Sequence, residues 1–261
     1  MNVAVCVKQI PDPVEPYKLD PGTHTLIRDG KLVLDDSDSY GVEMALQLVE
    51  ASGGGDVVLI SMAPNNETSG LRTALAMGAA SAVLVSDPAL KGSDALGTAK
   101  VLAAAIGSLD PRPDLVLAAT EATDGYTGTT PAQLAELLGW PSVTFAKHVE
   151  VADGQVKVQR QTEAGYDEVT SPLPAVVTVT AGVVEPRYPS FKGIMAARSK
   201  PVAEHTASSL GVPESEVGFA GARQEVVSVQ AAEARSAGEV VVDEGDAHER
   251  IVAFLEQIKV L

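Results

Sequence analysis

The chain has 261 residues, of which 35 are acidic and 19 basic, for a formal net charge of −16. This length buries a substantial core in one domain with room for an appendage. The acidic balance argues against nucleic-acid binding, which relies on Lys and Arg neutralising phosphates, and against docking on an anionic membrane surface. The charge is spread along the chain and reads as solubility.

Cys6 is the sole cysteine, so an intrachain disulfide and a thiolate cluster for zinc or iron–sulfur are both excluded. His24, His148, His205 and His248 stand far apart with no ligand spacing, and no metal site is expected. No apolar run is long enough to span a bilayer. A strand candidate begins at Asn2 without a leader-type segment before it. The expectation is a cytoplasmic protein or a processed form.

In chain order, Asn2–Val7 reads as a continuous apolar strand of the kind buried in a parallel sheet. Pro11 to Asp38 is irregular, with a hairpin predicted at Asp29-Gly30 joining Thr25–Arg28 to Leu32–Leu34. Ser39 caps a predicted helix that runs to Ala51, where Gly53-Gly54-Gly55 stops it. Strand 56–62, helix 67–77 and strand 82–86 follow. Ser93 opens a helix to Gly107, and Leu115–Ala119 is a further strand. Thr130 and Pro131 fit the N-cap and first turn of a helix over 132–138. Val143–Val151 and Gln155–Arg160 form an antiparallel pair turning at Asp153-Gly154, and Ala175–Thr180 is again strand.

This alternation predicts an α/β fold, a doubly wound, mostly parallel sheet that binds its ligand at the carboxyl ends of the strands. Residues 1–201 form the α/β domain. Residues 202–261 are read as a C-terminal arm: loop-rich over 202–228, weak or extended over 229–239, and ending in an amphipathic helix over 247–258.

Phosphate-binding glycine motifs are absent: no G-x-G-x-x-G follows the first strand, and there is no Walker lysine loop or nucleophile elbow. Their place is taken by Thr120-Glu121-Ala122-Thr123-Asp124-Gly125-Tyr126-Thr127-Gly128-Thr129-Thr130-Pro131. Glycines allow close backbone approach, and the helix end that follows offers unpaired N–H groups to an anion. The same pattern also suits an ordinary capped helix behind a polar loop.

A second segment, Glu185-Pro186-Arg187-Tyr188-Pro189-Ser190-Phe191-Lys192-Gly193-Ile194-Met195-Ala196-Ala197, follows the strand candidate. Two prolines and a glycine keep it out of regular structure. Phe191 either anchors in another protein's pocket or turns inward to pin the loop.

The run E-P-R-Y-x-x-Φ-x-x-I-M-x-A shortly after L-P-A-V-V-T, the loop 120–131 followed by Trp140-Pro141, and Arg72 with Thr73–Ala79 together resemble the electron transfer flavoprotein beta subunit family. The resemblance covers most of the chain. It implies a Rossmann-like, adenine-nucleotide alpha-hydrolase-like fold. It also implies a heterodimer with an alpha subunit that holds most of the FAD, and a structural AMP in this chain. Electrons would come from acyl-CoA and related dehydrogenases of fatty acid oxidation and pass to a membrane quinone reductase, the electron transfer flavoprotein-quinone oxidoreductase. The chain would be a carrier subunit without catalytic residues of its own.

The nucleotide contacts implied by the resemblance are Cys6, Asp35, Asp36, Ser37, Asp38, Met62, Asp124, Gly125, Thr127, Gly128, Thr129 and Thr130. The partner contacts are Arg187, Tyr188, Phe191, Ile194 and Met195. The family's Asn-Gln-Thr phosphate triplet is Gly128-Thr129-Thr130 here, its acidic intersubunit residue is Gln161, and its aromatic groups near the flavin are replaced by Pro13 and Ser37. Two alternatives remain: a bifurcating family member with a second FAD in place of AMP, and a stand-alone α/β nucleotide-binding protein.

Overall fold

The computed structural model describes residues 1–63, 65–230, 238, 240 and 242–260. It contains a compact unit, Met1–Val226, and a second unit, Val227–Leu261. Among the described residues of the first unit, nine strands form one sheet. In chain order these are β1 (Val3–Cys6), β4 (Val57–Ala63), β5 (Ser81–Ser86), β6 (Leu115–Ala119), β7 (Ser142–Ala152), β8 (Gln155–Thr162), β9 (Gly165–Pro172), β10 (Ala175–Val179) and β11 (Val202–His205). A separate antiparallel ribbon pairs β2 (Gln9–Pro11) with β3 (Leu32–Leu34).

The strand order is β11-β5-β4-β1-β6-β10-β7-β8-β9, parallel through β7 and antiparallel beyond it. The chain moves outward from β1 through β4 to β5, then returns to β6 on the other side of β1. The order therefore reverses between β1 and β6. In an open parallel sheet the crevice outside the carboxyl ends at such a reversal is where ligands bind.

Helices cover both faces, as a parallel sheet with apolar residues on each side requires. On one face α1 (Asp36–Ala51) and α2 (Ser69–Met77) bury Val42, Leu46, Leu71 and Leu75 against Val5, Leu59 and Leu117. On the other, α3 (Ala95–Gly107) and α4 (Thr130–Leu138) bury Val101, Ile106 and Leu134 with Ile60, Val116 and Val176.

Several expectations are corrected. The helix expected to start at Ser39 begins at Asp36, because the Asp35 side chain accepts from the Ser37 amide and caps it there. The hairpin at Asp29-Gly30 does not form, since Leu32–Leu34 pairs with Gln9–Pro11. A two-residue hairpin turn needs positive φ at its centre, which Asp153 (φ 54°) and Gly154 (φ 72°) have and Gly30 lacks. The cap of α4 is Thr129, one residue before the expected Thr130, and its side chain makes no capping bond.

The segment expected to stay irregular instead forms a short helix, α5 (Phe191–Ala197), because the Ser190 side chain accepts from the Gly193 amide as an N-cap. Strand β9 was not anticipated; exposed on most of its length, it lacks a strong apolar signal.

The expected boundary at 201/202 also moves. Val202–His205 is the edge strand beside β5, and Ala207, Val212 and Val217 are buried in the same core. The compact unit ends at Val226, not before Val202. A short helix α6 (Gly218–Gly221) closes that region. In the second unit α7 (Ala247–Gln257) carries Ile251, Phe254 and Leu255 at i, i+3 and i+4, one apolar stripe. The reading of 229–239 as weak or extended falls mostly outside the described residues.

Arg187 ties the start of the α5 segment to α1. Its Nε and Nη2 donate to the two Glu43 carboxylate oxygens at 2.6 and 3.0 Å, and its Nη1 reaches Glu50 at 3.0 Å. Burial raises the Glu43 carboxyl, but hydrogen bonds from Arg187 and Gln47 outweigh it and hold the group below the usual glutamate range. Its stabilisation is thus present above a typical glutamate value of about 4.3 and is lost as pH falls through the lower folded value. Glu43→Gln should cost about 1–2 kcal/mol at neutral pH, below the figure for a fully buried pair because Arg187 is partly exposed. Unfolding measured at pH 7 and pH 4 should show the gap between variant and wild type narrowing in acid.

Candidate nucleotide and partner sites

Three segments meet at the β1/β6 reversal: the chain after β1, the entry to α1, and the loop after β6. Asp35, which is 0% exposed, binds them together. One of its carboxylate oxygens accepts from the Ser37 amide at 3.0 Å and the Ser37 hydroxyl at 2.6 Å. The other accepts from the Thr123 amide at 2.7 Å and hydroxyl at 3.1 Å. The Asp35 amide donates to the Lys8 carbonyl at 3.0 Å, and Ser37 Oγ reaches the Glu121 carbonyl at 3.3 Å.

Asp124 performs a parallel role on the outer side. Its side chain is fully buried, accepts from Lys8 Nζ at 2.7 Å and forms a second, close ion pair with Arg28. Arg28 also donates to the Gln9 carbonyl at 3.3 Å. Burial raises the Asp124 carboxyl, but Lys8 and Arg28 outweigh it and hold it below the usual range. Lys8 and Arg28 carry no sequence pattern of a site, and neither was anticipated. The one available signal was their position, Lys8 directly after the first strand.

Beyond Asp124 the loop turns outward. Gly125, Tyr126, Thr127, Gly128 and Thr129 are exposed, and Tyr126 (φ 50°) and Gly128 (φ 68°) take left-handed conformations. Among the described residues, the amides of Thr127, Gly128, Thr129 and Thr130 donate to no protein acceptor. They stand at the start of α4, whose N-terminal dipole favours negative charge. In the first turn of α4, Gln133 donates to Thr129 Oγ1 at 3.1 Å while its buried carbonyl oxygen has no partner. Glu121 lies beside Gly128, 3.6 Å from where a Cβ would sit.

Cys6 and Met62 stand at the carboxyl ends of the adjacent strands β1 and β4 and pack against the core on the α3/α4 face. Burial, with the Asp38 charge adding to it, pushes the Cys6 thiol up to about 12. It is therefore a neutral, apolar contact and not a nucleophile at pH 7. Asp36 is exposed, Ser37 half-buried, and Asp38 buried with its carboxylate 2.6 Å from the Lys8 amide. Both oxygens of Asp35 and one of Asp38 are thus occupied by protein donors, whereas residues 127–130 present free amides. A further groove, lined by Asn2, Asp56, Asp110 and Pro201, opens at the opposite, amino-terminal edge and brings none of these residues together.

The candidate partner segment lies elsewhere on the unit. Phe191 is 81% exposed and Tyr188 94%, and Ile194 and Met195 are about half exposed beside them. Phe191 therefore turns outward. Arg187 is held by Glu43 and Glu50 and serves this segment's backbone. Exposed Lys192 and Arg198 flank the apolar residues.

The family model described as "Electron transfer flavoprotein domain" matches residues 23–210. The chain belongs to the electron transfer flavoprotein family. Curated proteins named electron transfer flavoprotein subunit beta are similar to it over nearly full length. The protein from Mycobacterium bovis is 40% identical over 265 residues, covering 100% of this chain and 99% of its own. That from Megasphaera elsdenii is 35% identical, covering 97% and 95%. The caffeyl-CoA reductase-Etf complex subunit CarD of Acetobacterium woodii is 35% identical, covering 92% of each. Membership assigns the chain a beta-subunit part in electron transfer. Among the described residues, no helix is long and apolar enough to cross a membrane.

The site makes a pH prediction. Burial pushes the Asp38 carboxyl well above the usual range, and the Asp35 charge adds to this; the Lys8 amide and charge offset only part. A folded value above the unfolded one means that stability is highest in acid and falls as pH rises through the folded value. Asn at this position keeps an acceptor for the Lys8 amide and removes the charge. Asp38→Asn should therefore melt higher than wild type at pH 8 and converge with it near pH 4, as read by thermal unfolding across that range.

Proposed function

We propose that this chain is the beta subunit of a heterodimeric electron carrier whose FAD is held mainly by an alpha subunit. It takes electrons from acyl-CoA and related dehydrogenases and passes them to a membrane quinone oxidoreductase. The observation that carries this reading is the exposed apolar set of Tyr188, ahead of α5, with Phe191, Ile194 and Met195 on it, in a chain of this family. An aromatic set in such a patch is the kind of anchor that fills a partner's pocket.

FAD, where bound, supplies the redox chemistry of the carrier. This chain's residues do the rest: they hold a structural nucleotide, close over the cofactor, and dock partners. The resemblance would bring Ser37, half-buried at the α1 entry, and exposed Pro13 towards the flavin, without the family's aromatic groups. The tail beyond 226 and the stripe on α7 pack on the alpha subunit. The carrier works in the cytoplasm, without inserting in the membrane.

AMP is the structural nucleotide. The four free amides at 127–130 fit a monophosphate, and the buried, unpartnered Gln133 oxygen fits a sugar hydroxyl or an amine. Lys8 and Arg28 are both drawn to the inward-facing Asp124, so in this reading phosphate binding rests on amides and the helix end. A ligand that binds only the folded chain stabilises it by mass action and is not turned over.

Mass spectrometry of the denatured, purified heterodimer should release one AMP and one FAD. Two FAD and no AMP would reverse the nucleotide assignment in favour of a bifurcating carrier, and a colourless, stable monomer with turnover would reject the carrier altogether.

Phe191→Ala should leave FAD, AMP and melting temperature in place while weakening docking. Burial of a Phe side chain contributes roughly 1.5–3 kcal/mol, and about 1.4 kcal/mol is tenfold. The apparent KM for the carrier in a dehydrogenase-coupled assay should therefore rise on the order of ten- to a hundredfold. An unchanged KM would sink the anchor assignment.

A further inference from the structure

The docking patch sits on a helix that has no right to be stable alone. Helix α5 has seven residues, well below the length at which an isolated helix persists in water. Its helical state matters to the patch, because only on a helix do residues i, i+3 and i+4 share a face. Phe191, Ile194 and Met195 have that spacing and are exposed together, while Ala197 is buried on the inner side.

What holds α5 is an exchange of basic side chains with α2. Arg72, on α2, donates through Nη1 to the carbonyls of Ala197 and Lys200 at 2.8 Å each, where α5 ends. Lys200, just past α5, donates through Nζ to the carbonyls of Leu75 and Ala79 at 2.9 and 2.6 Å, where α2 ends. One carbonyl in the last turn of each helix, Ala197 of α5 and Leu75 of α2, thus accepts from a cation outside that helix, and each cation lies at the negative end of a helix dipole. The two helices also touch backbone to backbone: a Cβ on Gly193 would stand 2.5 Å from the Ala76 carbonyl oxygen.

We propose that Arg72 and Lys200 are positioning residues for partner docking. Through this reciprocal clamp they keep α5 helical and its apolar face preformed, and so set the carrier's affinity for its dehydrogenases without touching them. The proposal rests on the docking reading above. Neither residue faces the nucleotide loop, so the clamp acts on recognition and not on cofactor retention. A partner that binds only the helical form sees an affinity reduced by the fraction of chains that are helical. If loss of the clamp leaves on the order of one chain in ten docking-competent, the apparent Kd rises about tenfold.

The test uses the assembled heterodimer in a dehydrogenase-coupled assay, with Arg72→Ala, Arg72→Lys, Gly193→Ala, Phe191→Ala and the Arg72→Ala/Phe191→Ala pair. Arg72→Ala should raise the apparent KM for the carrier about tenfold with kcat, flavin content and AMP content unchanged. Amide hydrogen exchange should quicken over 191–199 and not elsewhere. Arg72→Lys should recover part of the loss, since an ammonium also donates to carbonyls but sits on a shorter side chain. Gly193→Ala displaces α5 without altering any charge and should raise KM in the same way. It carries the test if Arg72→Ala fails to assemble. The paired variant should be worse than Phe191→Ala by much less than the single effect, because the clamp works through the anchor's placement. Wild-type KM in both Arg72→Ala and Gly193→Ala, with Phe191→Ala impaired, would overturn the clamp alone. A rise in KM that comes with cofactor loss would overturn it too. Wild-type KM in Phe191→Ala would instead overturn the docking reading on which it rests.

Discussion

A buried carboxylate, that of Asp35, joins the parts of the molecule on which the nucleotide loop depends. Four donors from Ser37 and Thr123 share its two oxygens. The first pair starts α1 and the second fixes the loop after β6. The charge is taken out of water, where an ion without partners would be prohibitively costly. The chain therefore cannot open the β6 loop away from α1 without leaving that charge unsatisfied. Helix α1, the central strand β1 and the candidate anion loop are thereby held in one arrangement.

The same constraint orients the second half of the site. With Thr123 fixed, Asp124 points inward to Lys8 and Arg28, and residues 125–129 turn outward. Acidic residues are thus spent on internal connections at the centre of the crevice, while free amides gather at its α4 side. In a chain of net charge −16, an anion is best received by backbone dipoles, which need no compensating cations.

Helix α1 also reaches the exposed apolar patch. Its entry lies at the nucleotide loop, and Glu43 and Glu50 farther along it hold Arg187 ahead of α5. One helix so supports both regions, and α2 supports the second from the other side. The patch is an apolar surface on a fixed support, which lowers the ordering cost a flexible loop would bring to binding.

The sequence by itself determined the alternating strands and helices, because the buried strands are mostly Val, Ala, Leu and Ile and helices α1 to α4 end at Gly or Ser. It determined the β7/β8 turn, since Asp153-Gly154 supplies two residues that accept positive φ. It also singled out residues 120–131 and 185–200 as candidate functional segments.

The tertiary structure alone decided what depends on distant partners. Asp29-Gly30 has the same residue types as Asp153-Gly154 and makes no hairpin, because Leu32–Leu34 pairs with Gln9–Pro11 and Arg28 is drawn to Asp124. The Pro- and Gly-marked segment is capped locally by Ser190, but the partner of its last carbonyl is distant: Arg72, 125 residues away in sequence, donates to Ala197 at 2.8 Å. Val202–His205 is a strand because β5 offers it an edge. Whether Phe191 faced in or out could not be read from its neighbours in sequence. The contact of Gly193 with α2 decided it, since Gly193 lies about 160° around the helix from Phe191, which is thereby turned to solvent.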